Sequence, residues 1–152
     1  MKIEEVLHIN KEIAQEKAAI INLLYTSNLI FEEMNTITKQ FDISIQQFNV
    51  LRILKGADDT KVNMSYIQKR MIHKMSNTTR LIDKLHDKDL VERNVCSNNR
   101  RKIEVKISQK GSLLLSKINN LVNQKEQLIC QHLNTDELNA FNKTLNKLRT
   151  NE

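Results

Sequence analysis

The chain has 152 residues, 39% of them apolar, with no proline, two glycines and a formal charge of +6. That is the size of one ordinary domain, with apolar residues enough for a core and almost nothing to break a helix, so a mainly α-helical fold is expected. The composition and spacing argue against several classes. No apolar run reaches the roughly 18 residues that span a bilayer, Met1-Lys2-Ile3-Glu4-Glu5 does not read as a signal peptide, and Cys96 and Cys130 have neither metal-like nor redox-like spacing, which suggests a cytoplasmic protein with reduced thiols and no cofactor.

The first predicted element is one long helix over residues 5 to about 40. Val6, Ile9, Ile13, Ile20, Leu24 and Phe31 recur at multiples of helical spacing, and Ile21, Leu29, Ile30, Met34 and Ile37 widen the stripe. About 30 residues of helix run near 45 Å, more than a small domain needs to cover its own core, which points to packing on a second chain. Ser44-Ile45-Gln46-Gln47 has the form of a capping box. It opens a helix carrying Phe48, Val50, Leu51, Ile53 and Leu54 that stops near Gly56, and Ala57 to Val62 reads as a polar loop. Ser65 to Met71 follows as a short helix, Ile72-His73-Lys74 as a tight turn, and Ser76 as the cap of a helix running to about Lys88. There Thr78, Leu81, Ile82 and Leu85 face inward, Ser76, Arg80, Asp83, Lys84 and Asp87 face outward, and Asn77 and Thr79 stand near the start. A short helix, a turn and an amphipathic helix with a small polar N-terminus form the helix-turn-helix pattern.

The period then changes from 3.6 to 2. Val91 to Val95 and Ile103 to Ile107 are two short strands, joined by Cys96-Ser97-Asn98-Asn99-Arg100-Arg101-Lys102, so a basic-tipped β-hairpin wing follows the recognition helix. Ser108 caps a long final helix with Leu114, Ile118, Leu121, Val122, Leu128 and Ile129 as its stripe. Asn134 and Glu137 form another capping box, before a helix with Leu138, Phe141, Leu145 and Leu148 at 3/4 spacing. The expected architecture is a winged helix-turn-helix over residues 41–108, flanked by a helical dimerisation region from residues 1–40 and 109–152, the whole one compact unit.

The basic charge is localised. Between Lys69 and Lys110 stand twelve Lys and Arg against five Asp and Glu, while the remainder of the chain is close to neutral. Such a block is the electrostatic footprint expected of a phosphate-binding surface. The helix N-terminus offers Ser76, Asn77, Thr79 and Arg80 to base edges in the major groove, with Lys69, Lys74 and Lys84 as phosphate contacts. On the wing, Arg100 and Arg101 suit a narrow minor groove, with Asn99 and Lys102 beside them. No Gly-rich phosphate loop and no convincing catalytic set is present, and His8, His73, His86 and His132 are scattered, so neither an enzyme nor a metal sensor is expected.

Several strings, in this order and spacing, resemble the MarR family of bacterial transcription regulators. They are Gln47-Phe48-Asn49-Val50-Leu51, Ser76 to Leu85, Asp89-Leu90-Val91-Glu92-Arg93, and Asn99-Arg100-Arg101 leading into Val105-Lys106-Ile107-Ser108-Gln109-Lys110-Gly111. The resemblance covers nearly the whole chain. It implies a homodimer that binds a palindromic double-stranded operator, with Arg101 as the minor-groove arginine. Asn99 departs from the family's wing aspartate: it can hydrogen-bond but cannot form an ion pair, which bears on wing stiffness. The resemblance also implies a repressor released by a small apolar or phenolic effector, with Tyr25, Leu29, Phe48 and Arg52 as candidate pocket residues. The alternatives are an oxidation-responsive regulator acting through Cys96, with Arg93 and Arg100 nearby in sequence to favour the thiolate, or a winged helix used for protein or RNA contact.

Overall fold

In the computed structural model the described residues are 2–58, 60–96 and 99–149, with the backbone alone for residues 95, 96 and 99–102. Among them the order is α1 (Ile3–Val6), α2 (Gln15–Lys39), α3 (Ile45–Lys55), β1 (Val62–Asn63), α4 (Met64–Arg70), α5 (Thr78–His86), β2 (Val91–Cys96), β3 (Asn99–Ile107), α6 (Gln109–Cys130) and α7 (Thr135–Leu148). The mainly helical fold with a small wing is as expected. No helix among the described residues is long and apolar enough to cross a membrane.

The capping chemistry explains most boundaries. Ser44 accepts from the Gln47 N–H at 3.2 Å while the Gln47 side chain accepts from the Ser44 N–H at 2.8 Å, starting α3. Asn134 and Glu137 repeat this at α7, and the Ser108 hydroxyl accepts from the Gly111 N–H at 2.9 Å to start α6.

Helix ends use an aspartate or histidine in the left-handed conformation where glycine is commoner: His8, Asp42, Asp58 and Asp89 have φ of 51°, 56°, 48° and 59°. Three of them show the paired terminal hydrogen bonds that close a helix. Ile9 N–H reaches the Glu4 carbonyl at 2.8 Å, Ile43 N–H that of Thr38 at 3.4 Å, and Leu90 N–H that of Leu85 at 2.9 Å.

His8 corrects the expectation of a single helix over residues 5 to 40. The chain turns left-handed there, α1 closes, and α2 begins only at Gln15. The 25 residues of α2 span about 37 Å. Gly56 caps α3 in ordinary right-handed conformation, φ −69°, and the left-handed position after it falls to Asp58. The cap of α5 is Asn77, not Ser76: the Asn77 Oδ1 accepts from the Arg80 N–H at 3.1 Å.

A third strand begins at the last residue of the predicted 57–62 loop. Two-residue β1 pairs antiparallel with β3, Val62 opposite Val105, giving the sheet order β1-β3-β2. β2 and β3 form the wing, with Val91 opposite Ile107 and Arg93 opposite Val105, and the register shifts between Val95 and Cys96.

One cluster of buried residues joins α2, the winged segment and α6. Ile37 of α2, Val50, Leu51 and Leu54 of α3, Ile67 of α4, Ile82 and Leu85 of α5, Val105 of β3, and Leu115, Ile118 and Val122 of α6 pack together. A Lys125–Glu33 ion pair at 2.8 Å also ties α6 to α2. By contrast α7 buries none of its residues.

Candidate nucleic-acid interface

Helix α5 is set on its scaffold by its inward face. Ile82 and Leu85 are buried, and the buried Thr78 hydroxyl donates to Gln68 of α4. Gln68 was missed as a buttress because the contact joins two helices ten residues apart in sequence. The opposite face holds Thr79, Arg80 and Lys84, all exposed. A shallow groove of about 540 Å³ runs beside it, lined by Gln46, His73, Met75, Ser76, Asn77, Arg80, Leu81 and Lys84. Three predicted residues, Ser76, Asn77 and Thr79, also border a second depression shared with Lys69 of α4. The residues predicted for the start of a recognition helix are therefore brought together on one surface.

Their availability differs in ways that depend on tertiary contacts. Arg80 and Lys84 have no side-chain partner among the described residues, and neither does the Lys69 ammonium. Lys74, expected as a phosphate contact, turns its ammonium onto the Lys69 carbonyl at 2.7 Å. Asn77 gives its oxygen to the helix cap and retains its amide hydrogens for other partners. Arg93 of β2 pairs with Asp83 of α5 at 2.6 Å, which ties the wing strand to that helix. The wing predictions, Asn99, Arg100, Arg101 and Lys102, and the redox prediction at Cys96 have side chains outside the described residues; their backbone lies in the β2–β3 hairpin.

The far end of α5 is tied as firmly. Lys88 donates to both the carbonyl and the carboxylate of Asp42, at 2.7 Å for the latter. That hydrogen bond, aided by the ammonium's charge, holds the Asp42 carboxyl below its ordinary value of 3.8. A depressed carboxyl pKa stabilises the fold above the unfolded value and loses that contribution as pH falls through the folded one. In Lys88→Met the Asp42 carboxyl is expected to titrate at higher pH than in the wild type, measured by carboxyl carbon NMR; an unchanged midpoint would show that the pair does not form in solution.

The effector-pocket residues are more dispersed. Phe48 is buried in the core, and the Arg52 guanidinium lies 5.7 Å from its ring centroid; Tyr25 is half-buried and Leu29 exposed on α2.

Residues 43–103 match the model of the MarR family. Among solved structures, the MarR transcription factor from Planctomyces limnophilus is 29% identical, with a TM-score of 0.70, over 90% of this chain and 98% of that one. A mutant MarR from E. coli complexed with operator DNA is 24% identical, with a TM-score of 0.75, over 91% and 99%. The organohalide-sensing transcriptional regulator RdhR in its 2,4-dichlorophenol-bound form is 15% identical, with a TM-score of 0.82, over 91% and 82%. The matched segment holds α3, β1, α4, α5, β2 and the start of β3, the elements that build the surface just described. Residues 43–103 thus match the MarR family, and the chain as a whole is similar in fold to MarR transcription regulators.

Proposed function

We propose that this protein is a sequence-specific, double-stranded-DNA-binding transcriptional regulator that acts as a homodimer on a palindromic operator. The carrying observation is the presentation of Arg80 and Lys84, without side-chain partners among the described residues, on a helix fixed from behind by Gln68 and from the side by the wing. One α-helix fits the major groove, and its N-terminal side chains read base edges. The wing residues Asn99, Arg100, Arg101 and Lys102 extend the basic surface toward the minor groove in this reading. The mutant E. coli MarR bound to operator DNA, similar in fold, supports it.

The case for a dimer rests on uncovered apolar surface. Leu24 of α2 is 61% exposed and Phe141 of α7 is 50% exposed, with Ile20, Leu29, Leu121, Leu128, Ile129, Leu133 and Leu148 also open on α2, α6, α7 and the α6–α7 turn. Apolar surface of that extent is costly unless covered, and a second copy offers the complementary surface. Residues 1–40 and 109–152 supply this interface in the proposal. The double variant Leu24→Glu, Phe141→Glu is expected to run as a monomer in light scattering and to lose about 100-fold in operator affinity, because two linked heads bind far better than one. A dimer that persisted with unchanged affinity would place the interface elsewhere.

The regulatory part of the reading is a repressor released by a small apolar or phenolic effector, acting near Tyr25, Leu29, Phe48 and Arg52. RdhR in its dichlorophenol-bound form supports that class of effector. The functional test is selection of duplexes from a random pool by the full chain. Recovery of a two-fold-symmetric sequence whose log K falls steeply with log salt is the expected result. Failure to select any duplex at low ionic strength would overturn the proposal.

A further inference from the structure

The turn between α4 and α5 holds a methionine out in solvent. Met75 is 98% exposed, yet its turn is braced on several sides. The His73 ring stands edge-on to Phe31 of α2, with centroids 5.4 Å apart. Gln68 Nε2 donates to the Lys74 carbonyl at 2.6 Å, Lys74 Nζ to the Lys69 carbonyl at 2.7 Å, and the Ser76 N–H to the His73 carbonyl at 3.1 Å. Exposed apolar side chains are ordinary on a protein surface, and Ile72 of the same turn is open too. Met75 is different in its setting. It lines the same groove as Ser76, Asn77, Arg80 and Lys84, and it lies outside the apolar surface of α2, α6 and α7 that a second copy would cover.

One polar group in that groove is less available than the sequence suggests: Asn77 has given its oxygen to the α5 cap. An apolar side chain on the reading side calls for an apolar feature on the duplex. In the major groove that feature is the C5-methyl group of thymine.

We propose that Met75 is a specificity-determining residue that reads a thymine in each operator half-site through its C5-methyl group. The proposal rests on the DNA-binding reading above. The pinned turn means that little of the contact is lost to ordering, and polarisable methionine adapts readily to the flat methyl-bearing edge.

The test uses the duplex that the full chain selects from random DNA. Each thymine is replaced in turn by deoxyuridine, which deletes the methyl and leaves the pairing edge intact. At one thymine per half-site the replacement is expected to weaken wild-type binding about threefold to tenfold, the scale of one buried methyl. Met75→Ala should weaken binding to the unmodified duplex by a similar factor and become indifferent to deoxyuridine at that position, a coupling that general loss of affinity would not produce. If every deoxyuridine substitution is neutral for wild type, or if Met75→Ala keeps the full penalty at each thymine, the proposal is overturned while DNA binding stands. A Met75→Ala protein with unaltered affinity and unaltered deoxyuridine response would overturn it too. If no duplex is selected, both readings fall.

Discussion

Gly111→Ala is expected to lower the stability of this protein by about 3 kcal/mol, whereas Gly56→Ala is expected to be neutral or to add up to about 1 kcal/mol. The two glycines differ in what a methyl group would meet. At Gly111 an added Cβ would lie 2.0 Å from the Leu90 carbonyl oxygen and 3.1 Å from the Ile107 side chain. Backbone cannot yield cheaply, and that same carbonyl accepts the Ser108 N–H at 3.1 Å, so the bond that seats the start of α6 is lost along with the packing. At Gly56 the nearest atoms are 3.5 and 3.7 Å away, ordinary contact, and φ is that of any helical residue. Thermal unfolding at fixed protein concentration checks both, with a fall of roughly 6–12 °C expected for Gly111→Ala. An unchanged midpoint would mean that α6 does not sit this closely on the turn after α5. The junction matters for function because Ser108 Oγ also holds the Asp89 carbonyl at 2.7 Å and Lys110 Nζ the Lys88 carbonyl at 2.7 Å. The end of the reading helix and the start of a helix in the proposed interface thus form one rigid piece, through which a change in dimer angle would reach the DNA.

What the sequence made legible was local chemistry. The capping boxes at Ser44 and Asn134 and the cap at Ser108 were readable because each is completed within four residues, and the wing because its period changes from 3.6 to 2. The break at His8 was hidden because positive φ is uncommon at any non-glycine residue, and an apolar stripe continues across it at near-helical spacing. Strand β1 was hidden because two residues carry no periodicity; only their pairing with Val105 and Glu104 makes them a strand. Ser76 and Asn77 are both good cap formers in adjacent positions, so composition could not choose between them, and the Arg80 N–H did. The same limit applies to the site. The set of basic residues from α4 to the wing was readable as a charge block, but which of them remain free depends on contacts between elements that spacing does not reveal. Lys74 spends its ammonium on a helix C-terminus and Arg93 its guanidinium on Asp83, while Met75 was invisible as anything but a loop residue.

Arg80→Ala is expected to weaken operator binding by about 100-fold or more at fixed salt. An arginine reading one base contributes roughly 1–3 kcal/mol, and a two-fold-symmetric complex uses it twice. The substitution is a fair probe because Arg80 is exposed and the α5 cap depends on its backbone N–H, which alanine keeps. The informative comparison is with Lys84→Ala on the same face. If Lys84 contacts phosphate, its loss weakens operator and random duplex by the same factor, and the slope of log K against log salt becomes shallower by about one for each contact removed. Loss of Arg80 should instead fall mainly on the operator, shrinking the ratio of specific to random affinity, with a smaller change in slope. Titrations of both variants against both duplexes at several salt concentrations separate the roles. Equal weakening on both duplexes would make Arg80 a phosphate clamp and shift base reading to Ser76, Thr79 and the wing. No weakening in either variant would show that the exposed face of α5 is not the surface that meets DNA.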